Sequence, residues 1–184
     1  SSGSGKTTLL SVLSGLDKPT SGRVFLQDED ITDKSEDDLA QLRKDMIGFV
    51  FQSFHLIPSL TALENIMFPA ELKQDPAARE KAKHLLQRMG LGKRSANFPH
   101  QLSGGEMQRV AMCRAVINNP KIIFADEPTG NLDSRNGNEV MNLLSDLNEE
   151  GATIIMVTHS DRDANYAHRI INLFDGQVIM EKIN

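Results

Sequence analysis

The sequence predicts an α/β fold in which helices flank a mostly parallel sheet, with an all-helical subdomain inserted into it. Short apolar runs of strand length alternate with longer amphipathic stretches, which is typical of a parallel sheet covered by helices on both faces. This alternation stops between about residues 54 and 118, where the pattern is mostly helical. The 184 residues are 39% apolar, which suits one domain over residues 1–184 that contains the helical subdomain.

Charge and composition narrow the class of partner. The 25 acidic and 20 basic residues give a net charge of −5, which argues against a nucleic-acid partner because such proteins usually carry a basic surplus. No apolar run in the sequence reaches the roughly 20 residues that cross a bilayer. Cys113 is the single cysteine and cannot form an internal disulfide, as in proteins of a reducing cytosol.

The chain begins with a serine- and glycine-rich loop, SSGSGKTT, that leads directly into an apolar helical stretch. Apart from one leading glycine, this is the G-x-x-x-x-G-K-[ST] pattern of a phosphate-binding loop. Its backbone N–H groups can surround an anion, Lys6 adds a positive charge at the outer phosphates, and the Thr7 hydroxyl can bind Mg²⁺. A flexible linker would explain the first five residues but not the Gly-Lys-Thr-Thr that follows. The residues assigned to the phosphates are Ser2, Gly3, Ser4, Gly5, Lys6, Thr7 and Thr8.

The next elements follow from local patterns of turn residues and apolar residues. In chain order the sequence predicts a turn over residues 16–22, a strand over 23–27, a polar loop over 28–34, a short helix over 39–45 and a buried strand over 46–51. The buried strand ends at Gln52, which alone is an ordinary polar residue at a strand end.

The inserted subdomain has clear helix start signals. Thr61 and Glu64 form a capping box, in which each side chain satisfies a free N–H group of the other's backbone. Asp75-Pro76 predicts a second helix with proline at its first position, running to about Met89 and stopped by Gly90.

The last third of the chain returns to strands and helices in alternation. The sequence predicts a strand over residues 121–125, a helix over 135–149 ended by Gly151, a strand over 153–158 and a terminal pair of strands over 170–174 and 177–180. Asp175-Gly176 joins the terminal pair as a two-residue hairpin turn.

Two carboxylates follow the apolar run at residues 122–125. A strand of a parallel sheet delivers such side chains to its C-terminal edge, where nucleotides bind in sheets of this kind. Asp126 can then hold Mg²⁺, and Glu127 can accept a proton from an attacking water. The pair alone is equally compatible with an ordinary polar strand end, and the phosphate-binding loop favours the functional interpretation.

A third motif, QLSGGEMQR at residues 101–109, precedes an amphipathic helix that reaches about Ile117. Ser103 and Glu106 form a second capping box, and Gly104 and Gly105 leave the free N–H groups uncovered, so this helix end can also receive an anion. A bare S-x-x-E pattern would indicate no more than a well-capped helix.

With these motifs in order, the chain resembles the nucleotide-binding subunit of ATP-binding-cassette transporters, which have a P-loop NTPase fold. The LSGGE string matches the signature motif of that superfamily. The resemblance implies that Gln52 lies in its glutamine loop, that Asp133 lies in the loop that crosses the dimer, and that His159 is its switch histidine. It covers essentially the whole chain.

The resemblance implies a mechanism and a partner. Two copies would form a homodimer with ATP between the phosphate loop of one and residues Ser103, Gly104 and Gly105 of the other. Thr7, Gln52 and Asp126 would surround Mg²⁺, and the catalytic residues would be Glu127, His159 and Gln52.

Residues 49–65 and 125–133 resemble most the branch of macrolide exporters and lipoprotein-releasing systems. The implied partner is an integral membrane permease subunit, to which the chain would transmit force for export or lipoprotein release. The implied location is peripheral, on the cytoplasmic face of the inner membrane. Phe54, Leu56 and Ile57 could form an apolar groove for that partner or could simply pack in the core.

Two departures from the family pattern bear on nucleotide binding. Met107 replaces a residue that is often polar in relatives, and little change is expected from it. The aromatic residue that stacks on adenine in the family would lie upstream of residue 1, so we expect this chain to be N-terminally truncated.

Other functions remain open at this stage. A soluble nucleotide switch with the same cassette is the main alternative, and a subunit that binds ATP without cleaving it is another. The intact Glu127 and His159 argue against the second. His55, His84, His100 and His168 have no motif around them and are assigned no role.

Overall fold

The computed structural model describes residues 5–183. Helix α1 (Lys6–Leu13) begins where the phosphate-loop pattern predicts it, and its N-cap Gly5 has a φ of 81° that favours glycine. Strands β1 (Phe25–Leu26) and β2 (Glu29–Asp30) then form a small antiparallel hairpin.

This hairpin corrects the sequence prediction. The first strand has two residues instead of five, and the second lies inside the segment predicted as a polar loop. Gln27 and Asp28 turn the chain with φ values of 49° and 67°. Such turns normally carry Asn-Gly or Asp-Gly, so the Gln-Asp pair gave no signal.

Helix α2 (Glu36–Met46) starts three residues before its predicted position. Ser35 accepts a hydrogen bond from the Asp38 N–H at 3.2 Å and caps it. Three acidic residues in the first turn interact favourably with the positive end of the helix dipole.

The central sheet has three parallel strands in the order β3 (Ile47–Phe51), β4 (Ile122–Asp126) and β5 (Thr153–Val157). Strand β4 lies in the middle, and its residues 122–125 are buried, as a sheet covered on both faces requires. Phe51, Asp126 and Val157 stand side by side in the register, so the three strands end at one edge.

Helices α3 (Ala62–Glu71), α4 (Ala78–Arg88) and α5 (Gly104–Val116) lie between β3 and β4 in sequence, with two short 3₁₀ turns before α5. They enclose an apolar cluster of their own that includes Ile66, Leu86 and Val110. The Thr61–Glu64 capping box is confirmed, with the Thr61 N–H donating to Glu64 at 2.8 Å.

The predicted start of α4 was wrong. The helix begins at Ala78, and Pro76 precedes it instead of occupying its first position. Asp75 Oδ1 accepts a hydrogen bond from the Ala77 N–H at 2.8 Å, so the aspartate forms a local turn before the helix.

The chain ends with α6 (Ser134–Glu149), the four-residue α7 (Asp161–Ala164), and the antiparallel pair β6 (Arg169–Phe174) and β7 (Gln177–Ile183). Asp175 and Gly176 have φ values of 48° and 74°, which confirms the two-residue turn. Helix α6 covers one face of the sheet through a cluster that contains Val140, Met141 and Leu144. Within residues 5–183 no helix has the length and apolar character to cross a membrane.

Candidate nucleotide-binding site

The polar residues that the sequence singled out meet at the C-terminal edge of the sheet. Gln52 directly follows β3, Glu127 directly follows β4, and His159 is the second residue after β5. Because the last residues of the three strands are paired, these side chains leave the sheet at the same level.

Helix α1 packs against β4 and β5, and its first turn reaches the same edge. Thr7 Oγ1 donates a hydrogen bond to Asp126 Oδ1 at 3.4 Å, which joins two residues that lie 119 positions apart in sequence. Both offer oxygen, the ligand atom that Mg²⁺ prefers. Thr8 is exposed in the first turn of α1, and the assigned Ser2, Gly3 and Ser4 lie outside the described residues.

Glu127 and His159 face each other, with 3.6 Å between Oε1 of Glu127 and Nε2 of His159. Glu127 has a φ of 47°, and its N–H donates to the Val157 carbonyl at 2.9 Å. Among the described residues, its Oε1 is buried without a hydrogen-bond partner.

The surroundings of Glu127 favour a basic carboxylate. Burial raises its pKa above the usual value, and the neighbouring Asp126 charge acts in the same direction. His159 and Lys6 oppose the shift, which also places Lys6 within electrostatic range of this carboxylate.

Gln52 is tied to the loop that follows Glu127. The Asn131 Nδ2 donates to the Gln52 carbonyl at 2.9 Å, and Gln52 Nε2 donates to Asn131 Oδ1 at 3.3 Å. A Cβ on Gly130 would lie 2.7 Å from Gln52 Nε2, so the glycine allows this close approach. Gln52 is therefore held against the loop that follows Glu127, and its binding of Mg²⁺ stays a prediction.

The second predicted anion-binding helix end, at the start of α5, has the expected capping box. Glu106 accepts the Ser103 N–H at 2.8 Å, and Ser103 accepts the Glu106 N–H at 3.3 Å. The bond from Ser103 keeps the pKa of Glu106 below its usual value, with help from Arg94 at 2.8 Å. Helix α5 packs against β3 and α3, whereas α1 packs against β4 and β5.

Two of the residues assigned to nucleotide have structural contacts within this chain. A Cβ on Gly105 would lie 2.2 Å from Asn136 Oδ1, so Gly105 is needed where α5 meets α6. Asp133 caps α6 by accepting from the Asn136 N–H at 2.9 Å and from Asn136 Nδ2 at 2.7 Å. These bonds hold the pKa of Asp133 below its usual value.

Three buried polar residues near the site were missed by the sequence analysis: Gln108, Thr129 and Asp163. Gln108 Nε2 donates to the Pro128 carbonyl at 2.7 Å, next to Glu127. The Thr129 hydroxyl donates a hydrogen bond to the Asp163 carboxylate. Each of these residues bonds to a residue far away in sequence, so no local sequence pattern predicts its role.

The comparison with known families agrees with the order of these motifs. The model of the family described as ABC transporter matches residues 1–130. This chain belongs to the ABC transporter family. It is 53% identical over 180 residues to an uncharacterized ABC transporter ATP-binding protein of Methanocaldococcus jannaschii, a match that covers 97% of this chain and 80% of that protein.

The relatives of this chain also include exporters. The macrolide export ATP-binding/permease protein MacB of a Shewanella species is 48% identical over 183 residues, and the pyoverdine export protein PvdT of Pseudomonas savastanoi is 49% identical over 182. Each match covers 98% of this chain and 28% of the exporter, so the chain spans little more than a quarter of those proteins.

Solved structures confirm the fold class. The chain superposes with a TM-score of 0.92 and 46% identity on a dimeric, post-hydrolysis ATP-binding cassette, MJ0796, bound to ADP and Pi. The match covers 100% of this chain and 82% of the solved one. The predicted α/β fold with flanking helices is therefore that of ABC cassettes.

Proposed function

We propose that this chain is the ATP-hydrolysing subunit of an ABC transporter and works as a homodimer on a membrane permease. The main support is the 3.6 Å contact between Glu127 and His159 beside the Thr7–Asp126 pair. This arrangement supports a site in which Glu127 would act as the base and Thr7 and Asp126 would hold Mg²⁺ at one edge of the sheet.

The phosphates of ATP would be held by the loop before α1. Backbone N–H groups of this loop and the helix dipole attract the anion, and Lys6 steadies the β- and γ-phosphates. Thr7 and Asp126, which contact each other, would offer two oxygen ligands to Mg²⁺, with Gln52 as a third candidate. The ion would supply charge neutralisation for the phosphates.

Glu127 is the proposed general base for the attacking water. Its Oε1 is buried and lacks a protein partner among the described residues, so it can accept a hydrogen bond from a small ligand. Its raised pKa makes it a stronger base than an exposed glutamate. His159, whose Nε2 lies 3.6 Å from this Oε1, would contact the γ-phosphate beside the water.

A second copy of the chain would complete the site. Ser103 is exposed at the start of α5, and Gly104 beside it carries no side chain that could cover the helix end. Across the dimer these residues would meet the γ-phosphate, together with Gly105 and the Asp133 loop. After hydrolysis the attraction weakens, because phosphate leaves the gap, and the dimer opens.

The membrane partner would dock on the helical subdomain. Phe68 of α3 and Leu72, directly after it, are 40% and 58% exposed, and Phe54 and Ile57 are half-buried in the segment before this helix. Leu56 packs against the helical cluster instead. The chain would then lie on the cytoplasmic face of the inner membrane. The exporter relatives favour this function over a soluble switch.

The variant Glu127→Gln tests the proposed function. It keeps the shape of the side chain and removes the base, so we expect ATP hydrolysis to fall by about a hundredfold or more while ATP binding persists. Hydrolysis is measured as phosphate release from the full-length protein. Glu149→Gln, at an exposed position on α6, is the matched control and should behave as wild type. Undiminished hydrolysis in Glu127→Gln would remove Glu127 as the base.

A further inference from the structure

Asp163 is a carboxylate with no exposed surface, held in the short helix α7. Thr129, 8% exposed, donates its hydroxyl hydrogen bond to Asp163 Oδ2, and Arg162 Nε donates to Oδ1 at 2.8 Å. Both carboxylate oxygens are therefore satisfied, which a buried charge requires.

The two partners belong to different parts of the site. Thr129 lies two residues after Glu127, in a loop closed by bonds from the Gly130 N–H to the Glu127 carbonyl at 3.0 Å and from the Leu132 N–H to the Thr129 carbonyl at 3.0 Å. Asp163 lies four residues after His159. The Thr129–Asp163 bond thus joins the loop that carries the base to the loop that carries the histidine.

Further hydrogen bonds hold the histidine side of this link. Ser160, directly after His159, accepts a hydrogen bond from the Asp163 N–H at 3.2 Å, and the Ser160 N–H donates to Thr158 Oγ1 at 3.0 Å. Thr158 and Ser160, the two neighbours of His159 in sequence, are therefore bonded to each other, and Ser160 is bonded to Asp163.

Helix α6 is the third element at this junction. A Cβ on Gly137 would lie 3.1 Å from Nη2 of Arg162 and 3.6 Å from Cβ of Thr129. The guanidinium that neutralises Asp163 therefore packs against the helix that Asp133 caps. Asp163 connects the base loop with the histidine loop, and its partners Thr129 and Arg162 lie against α6.

We propose that Asp163 and Thr129 are positioning residues that fix Glu127 against His159 and thereby set the rate of ATP hydrolysis. This inference rests on the proposed function. The bonds of the two residues run between the base loop and the histidine segment, so we expect their loss to act on the chemical step more than on the binding of ATP. A displacement of about 1 Å between reacting groups is enough to slow a reaction by up to about a hundredfold.

The test compares Thr129→Val with Thr129→Ser in the full-length protein. Valine has nearly the same shape but cannot donate to Asp163, whereas serine keeps the hydroxyl. We expect kcat to fall about tenfold or more in Thr129→Val, with the Kd for ATP within about twofold of wild type. Thr129→Ser should recover most of the turnover.

A double-variant cycle and a charge control complete the experiment. Asp163→Asn should also lower kcat, and adding it to Thr129→Val should cause little further loss because both act on one contact. Asp161→Asn makes the same charge change at an exposed position of α7 and should leave kcat unchanged.

The outcomes separate this inference from the proposed function. The positioning role is overturned if Thr129→Val leaves kcat per folded molecule unchanged, or if Thr129→Ser loses as much kcat as Thr129→Val. In either case, turnover by the wild type leaves the proposed function intact. A fall in ATP affinity that matches the fall in kcat also overturns it. If Thr129→Val does not fold, Asp163→Asn provides the same comparison of kcat with Kd. Absence of turnover in the wild type overturns both.

Discussion

Gly105 lies where α5 meets α6, in a contact that a single chain makes with itself. A Cβ there would lie 2.2 Å from Oδ1 and 2.5 Å from Cγ of Asn136. Asn136 cannot easily move away, since it also binds Arg109 at 3.3 Å and Asp133 at 2.7 Å. A functional defect at Gly105 would therefore report on folding as much as on nucleotide.

Gly105→Ala should destabilise the protein by about 1–3 kcal/mol because of this overpacking. Gly104→Ala is the matched control, because its Cβ would find its neighbours at 3.8–3.9 Å, an ordinary contact distance. Urea denaturation of the two variants measures the difference. Equal stabilities would contradict the packing role of Gly105.

Cys113 is a second residue whose behaviour follows from burial. It has no exposed surface, and desolvation raises the pKa of its thiol to about 12. Because the thiolate is the reactive form, we expect no labelling by a disulfide reagent at pH 8 in the native protein and one thiol per chain after denaturation. Rapid labelling of the native protein would show that α5 opens far more often than its packing indicates.

At the scale of elements, Arg114 ties α5 to the segment that follows Gln52. Phe54 and His55 have φ values of 59° and 47°, an unfavourable conformation for two successive residues other than glycine. Arg114 donates to both of their carbonyls, at 2.8 Å and 2.5 Å, and the His55 ring lies 4.8 Å from that of Phe51. The forked guanidinium can make both bonds at once.

Arg114→Lys should lose one of these bonds and loosen the segment. We expect faster hydrogen exchange at residues 53–57 and a loss of about 1 kcal/mol in the free energy of unfolding. Arg79→Lys, at an exposed position of α4, is the control. Identical exchange at residues 53–57 in both variants would mean that the backbone holds this conformation without Arg114.

The same elements show how far the sequence could predict the structure. The parallel strands and the capping boxes were predicted correctly because their sequence signals are local. Runs of apolar residues predict the buried strands, and the spacing of Thr or Ser and Glu predicts the caps. The turn at Gln27 was missed because Gln-Asp is not a usual hairpin pair, and the bond from Lys121 Nζ to Gln27 Oε1 at 3.1 Å joins residues far apart in sequence. Likewise, the Thr7–Asp126 contact was expected from two motifs, whereas the Thr129–Asp163 contact depends on packing alone.

At the scale of the whole molecule, the two helices proposed to meet the phosphates pack on different parts of the fold. Helix α1 packs against β4 and β5, and helix α5 packs against β3, α3 and α4. The dimeric cassette bound to ADP and Pi offers a precedent for assembly by a chain of this fold. A homodimer would allow each helix end to meet the phosphates held by the other copy.

Ser103→Arg tests that assembly in the Glu127→Gln background, where ATP is expected to stay bound. Ser103 is exposed, so an arginine there should fold but block the approach of a second molecule. Because Ser103 also caps α5, its loss costs about 1 kcal/mol, and Ser103→Ala is the control for that part. Light scattering with ATP should show dimers for Glu127→Gln alone and with Ser103→Ala, and monomers with Ser103→Arg. If the Ser103→Arg variant dimerises with undiminished affinity, the dimer interface lies elsewhere. In a head-to-tail dimer the arginine side chain would separate this helix end from the phosphates bound by the other copy.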